Sequence, residues 1–156
     1  MKKKLLIDLI GLLLIALVVV VGYKLSPLLL PHADRVAYPD PGCDLQRQAC
    51  AVELPGGGRA ELQAAPLPIP MVKPFTVSVR VSGVEVTTVE VDFTGIDMNM
   101  GLNRPQLAAQ GAGRFVGEAT LPVCISGQMD WQATVLLSTP AGRIALPYRF
   151  TTGGGA

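Results

Sequence analysis

The chain is 156 residues long, 49% hydrophobic and 16% charged, with a formal net charge of +1, and that is the length of a single domain. After Lys24 it carries nine Lys and Arg against eleven Asp and Glu, a net of −2. A weakly acidic body has no electrostatic footprint for a phosphate backbone, so nucleic acid is excluded as a partner.

Residues 1–24 read as cytoplasmic lysines followed by a transmembrane anchor. From Leu5 to Tyr23 every residue except Asp8 is apolar or Gly. At about 1.5 Å per residue, a helix over this run reaches most of a hydrocarbon core about 30 Å thick. Lys2, Lys3 and Lys4 place the N-terminus in the cytoplasm by the positive-inside rule, with Asp8 near the same interface. The stretch "GYKLSPLLLP" that follows offers no small-residue cleavage site, so the anchor is expected to stay uncleaved and the rest of the chain to lie outside.

Residues 25–41 contain prolines and little periodicity, and are expected to form a stalk. Cys43 and Cys50 stand seven apart in "CDLQRQAC". Three pairings with Cys124 are formally open in an oxidising compartment; the short spacing favours a Cys43–Cys50 disulfide and leaves Cys124 as a free thiol.

From Cys50 onward the pattern changes to short alternating runs. "KPFTVSVRVSG" puts Phe75, Val77, Val79 and Val81 on one face, and "VEVTTVEVDFTG" does the same with Val89, Val91 and Phe93; period-two alternation rich in Val and Thr predicts half-buried strands. Further strands are expected over 51–54, 59–64, 106–109, 114–121, 129–138 and 143–150. The turn signals "PGGG", "QGAG" and "TPAG" lie between them. Pro66, Pro68 and Pro70 cannot donate to a ladder, so their segment should be an edge or a crossover. About eight strands in roughly a hundred residues predict an antiparallel, immunoglobulin-like β-sandwich over 42–152, with a barrel as the alternative and a disordered tail at 153–156.

Catalysis finds little support. The one histidine, His32, falls in the expected stalk, a poor place to fix a general base. Asp92, Asp97 and Asp130 flank strand ends, where acidic residues are ordinarily solvated. Neither Cys-x-x-Cys nor a His pair is present for zinc. An enzyme is not expected.

What remains is soft sulfur. Met98, Met100, Cys124 and Met129 lie in "DMNMG" and "CISGQM", and thioether and thiolate ligands select Cu(I) over harder cations. In an extended chain Met98 and Met100 would point the same way. The hairpin 106–121 should bring both loops to one end of the body. The competing reading has Met98 or Met100 plugging the sandwich end, Met129 packing beside Trp131, and Cys124 as a small buried hydrophobe. Met71, in the proline-rich segment, is a weaker fifth candidate ligand and is expected in the core.

The run "DMNMGLNRPQLAAQGAGRFVGEATLP" followed by "GQMDWQATVLL" resembles the YtkA-like and FixH-type family over roughly residues 75–138. These are small bacterial β-sandwich domains, membrane-anchored in the FixH type. Met98 and Met100 match its Met-rich turn, Phe115 its hairpin aromatic and Trp131 its strand tryptophan. The resemblance implies copper handling and service to respiratory oxidase assembly. It also implies a protein partner in such a complex, an inner-membrane anchor and a periplasmic domain. The chain departs by lacking a histidine near the methionines and by adding Cys124, which favours Cu(I) held through sulfur over a Cu(II) imidazole site. A non-metal interaction module docking onto a membrane or envelope partner is the alternative.

Overall fold

The computed structural model describes residues 2–29, 33–122 and 127–153, in two compact units that divide after position 32. Helix α1 spans Lys2–Leu29. Its stretch Ile7–Lys24 has a mean hydropathy of 2.3 and is not buried by protein, so it is long and apolar enough to cross a membrane. The helix continues past Lys24 into residues expected to begin the stalk.

The second unit contains β1 (Arg35–Val36), β2 (Cys50–Glu53), β3 (Arg59–Ala65), β4 (Pro74–Ser82), β5 (Thr88–Gly95), β6 (Gln106–Gly111), β7 (Arg114–Thr120), β8 (Met129–Thr139) and β9 (Gly142–Thr152). All eight expected strands are present, because alternation is a local property that each segment carries by itself. Strand β4 buries Phe75, Val77, Val79 and Val81, and β5 buries Val89, Val91 and Phe93. The β2–β3 connection uses Gly56, Gly57 and Gly58 at φ of +93°, +99° and +95°, a region L side chains rarely adopt.

Strand β1 departs from the expected stalk. It pairs in parallel with β9, Arg35 opposite Ile144 and Val36 opposite Ala145. The Ala37 amide donates to the Ala145 carbonyl at 3.0 Å, and the Arg143 amide donates to Asp34 Oδ2 at 2.7 Å. The packed body therefore begins by Asp34 rather than at Gly42.

The nine strands form one mixed sheet in the order β1-β9-β8-β5-β6-β7-β4-β3-β2. The β-rich body matches expectation, whereas the division into two separate stacked sheets is replaced by a continuous one. The physical reason lies in β6, which pairs with β5 at Gln106 and Leu107 and with β7 from Ala108 onward. The sheet curls: Phe75 on β4 and Phe93 on β5 are three strands apart in the order, yet their rings meet edge to face at 5.7 Å. The buried side chains of both halves, Trp131, Leu62 and Leu146 among them, form one core.

Between the two ends of the sheet lies the segment 42–49. Leu45 is buried in the core. Gln46 donates from Nε2 to the Thr151 carbonyl at 2.7 Å and accepts the Ile69 amide on Oε1 at 2.7 Å. The Cys43–Cys50 disulfide closes this segment, with a Cα separation of 5.8 Å, so the local pairing is formed; a loop of this length gains about 2–3 kcal/mol from the cross-link. The proline segment connects β3 to β4 outside the ladders, with Ile69 buried and Met71 making one bridge to Leu121. His32, Cys124 and the last three residues of the tail lie outside the described residues.

Tyr148 on β9 is buried, and its hydroxyl has no hydrogen-bond partner among the described residues. Burial first, and the Glu61 carboxylate second, push its pKa above the ordinary tyrosine value of about 10. The unfolded chain ionises near pH 10 while the folded one stays protonated, so this residue's contribution is intact below that pH and is lost as pH rises above it. Tyr148→Phe is expected to be neutral or stabilising by up to about 1 kcal/mol at neutral pH, since it removes an unpaired polar atom. It should also flatten the alkaline decline, as read by urea unfolding between about pH 8 and 11. An unchanged alkaline decline would contradict this.

Candidate functional site

The segment from Ile96 to Pro105 leaves the end of β5 and is fixed at its base from three sides. The Ile96 amide donates to the Asp130 carbonyl at 2.9 Å, the Phe93 amide to the Asn103 carbonyl at 2.9 Å, and the Val91 amide to the Pro105 carbonyl at 3.1 Å. Asn103 Nδ2 donates to the Thr120 carbonyl at 2.9 Å. These contacts tie the segment to the start of β8 and the end of β7, so the two put their ends at the same rim. Arg104 Nη2 meets Asp92 Oδ2 at 3.1 Å with both side chains mostly buried. Asp92, expected to be solvated, is thus paired and holds the segment against β5.

The tip carries the two methionines. The chain bends at 96–98 instead of running extended, so Met98 and Met100 do not share one environment. Met98 is 51% exposed, whereas Met100 is half-buried and packs against the core. Asn99 Oδ1 accepts the Gly101 amide at 2.9 Å and closes the tip.

Met129 is the first residue of β8 rather than a loop residue, and it is 6% exposed. Trp131, two residues on along the same face, is buried with its indole N–H donated to Thr152 Oγ1 at 2.9 Å. Met100 and Met129 come together over the Cα of Gly95. A β-carbon built there would stand 3.4 Å from Met100 Cγ and would overlap the ε-methyl of Met129.

Of the four proposed sulfur ligands, the fold therefore brings two together. It leaves Met98 in solvent beside them, and Cys124 lies outside the described residues. No group of three His, Cys, Asp or Glu side chains suited to a metal occurs among the described residues. The donor set at this rim is thioether, a soft neutral ligand that suits Cu(I) and not hard cations. Above Gly95 the space is taken up by the Met129 ε-methyl, the Met98 carbonyl oxygen and Met100 Cγ, so two thioether side chains border one position.

Beside the rim, a groove of about 910 Å³ runs between the disulfide segment and the ends of β8 and β9, with Ile96, Asp130 and Arg149 among its walls. Gly95, Asn103 and the Asp92–Arg104 pair carry no functional signal in the linear sequence. Only the adjacency of Gly95 to the Met-x-Met pair could have drawn attention to it.

No family model and no curated protein matches the chain. Among solved structures it is similar to part of an engineered protein known from a crystal structure, at 21% identity and a TM-score of 0.46. The match covers 62% of this chain and 20% of that one, so the chain spans about one fifth of that protein's length. A likeness at that level assigns neither family nor activity.

Burial separates the methionines energetically. Met129→Ala is expected to cost about 2–4 kcal/mol of domain stability through lost contacts and a residual cavity. Met98→Ala should stay within about 0.5 kcal/mol of the unmodified chain. Urea unfolding of the two variants checks the contrast, and equal costs would contradict the burial difference.

Proposed function

We propose that this chain is a non-catalytic accessory protein of the YtkA-like and FixH type, anchored in the bacterial inner membrane with its N-terminus in the cytoplasm and its β domain in the periplasm. It holds Cu(I) through sulfur at the rim formed by the 96–105 segment and hands it on during assembly of a respiratory oxidase. The observation that carries this reading is the convergence of the Met100 and Met129 side chains over Gly95. The apolar helix Ile7–Lys24 supports the anchor, and the Cys43–Cys50 disulfide supports an oxidising compartment.

In this reading Met100 and Met129 are the fixed ligands. Met98, exposed on the same tip, supplies a thioether that can swing towards the ion or towards an acceptor protein. Cys124 supplies the fourth sulfur. The half-buried position keeps competing water ligands from one side of the ion, while the exposed Met98 leaves a route for transfer.

A second reading, a non-metal interaction module, is favoured by one observation: Ile96, Met98 and Leu102 on the same segment are 45%, 51% and 83% exposed. Exposed apolar side chains grouped on a loop are what a docking surface needs.

Cu(I) titration against a competing chelator separates the two, using the full chain in detergent beside Met100→Leu/Met129→Leu, Met98→Leu and Cys124→Ser. The copper reading expects the double variant to lose affinity by roughly tenfold or more, about 1.4 kcal/mol per factor of ten. It expects smaller losses for the other two. Equal weak binding by all four proteins would sink it and leave the docking module.

A further inference from the structure

Gly95 ends β5, and its φ is not among the positive values found at other glycines of the chain. Conformation therefore does not explain why this residue lacks a side chain. Space does. A β-carbon at Gly95 would stand 2.5 Å from the Met98 carbonyl oxygen and 3.4 Å from Met100 Cγ, and would overlap the Met129 ε-methyl. The ε-methyl is the end of a flexible chain and could rotate away. The Met98 carbonyl is backbone, and it could yield only by lifting the whole tip off β5.

We infer that Gly95 is the positioning residue of the thioether pair: its bare Cα lets the tip fold back over the end of β5 until Met100 reaches Met129. The inference rests on the copper reading only for the use to which the pair is put; the juxtaposition itself is a property of the fold. Any side chain at position 95, even a methyl group, would push into the Met98 carbonyl and the Met129 ε-methyl and move the two methionine side chains apart while leaving their chemistry unchanged. The base of the segment is held independently, by Ile96 to Asp130 and by Asn103 to Thr120, so the tip can shift while the sheet stays intact.

The test uses the full chain in detergent with ¹³C-methyl-labelled methionine, compared with Gly95→Ala, first metal-free and then titrated with Ag(I) as a redox-inert stand-in for Cu(I). In the metal-free unmodified chain, nuclear Overhauser contacts are expected from the Gly95 α-protons to Met100 and to the Met129 methyl. Their absence from the folded protein overturns the inference. In Gly95→Ala the Met100–Met129 contact should vanish while the Trp131 indole resonance stays in place, and Ag(I) affinity should fall by about tenfold or more.

Retention of both the contact and the affinity in Gly95→Ala overturns the inference. Loss of the contact with no Ag(I) binding by either protein supports the positioning role and overturns the copper reading instead. If Gly95→Ala does not fold, the contacts in the unmodified chain decide the matter.

Discussion

Strand β6 holds the body together by pairing with two different neighbours. Its first residues belong to the β5 ladder and its later ones to the β7 ladder, so the two halves are joined in one sheet. The curl turns Phe75 onto Phe93 and gives both halves one shared interior. Burial of that interior is the main favourable term in folding such a domain. It also sets the geography of the rim, because the end of β5, the end of β7 and the start of β8 are brought within hydrogen-bond reach of one segment.

The ends of the sheet are handled differently. An open edge is a template for unwanted pairing, and here β1 covers part of β9 while the cross-linked segment 42–49 lies against Thr151 and Ile69 through Gln46. Leu45 completes the interior from that side. Tying this short segment with a disulfide restricts the unfolded chain where local structure is weakest. An oxidising compartment suits that solution better than a reducing one.

At the rim a fixed frame carries a less constrained tip. Main-chain hydrogen bonds and the Asp92–Arg104 pair hold the frame, and the tip holds one buried-side and one solvent-side methionine. Thioethers are flexible, polarisable and neutral, so they pack a core end well, and in the copper reading the same groups are the ligands. Whether the pair packs or ligates is a question of access, and Met98, exposed at the tip, provides that access in the copper reading.

The apolar N-terminal helix, the eight principal strands and the preference for the Cys43–Cys50 bridge are legible in the linear chain. Each of these is written in local pattern: an uninterrupted apolar run, alternation of period two, or two cysteines a short loop apart. The remaining features depend on contacts between distant segments. The strand partner of Arg35 and Val36 lies across a sequence distance illustrated by the Asp34–Arg143 contact, 109 residues apart, and a two-residue strand has no periodicity to read. The handover at β6 depends on which neighbours flank it, so a curled single sheet and two stacked sheets look alike in sequence. The meaning of Gly95 arises because a turn folds back over its Cα, and nothing in a linear chain records which backbone atom will come to rest above a missing side chain.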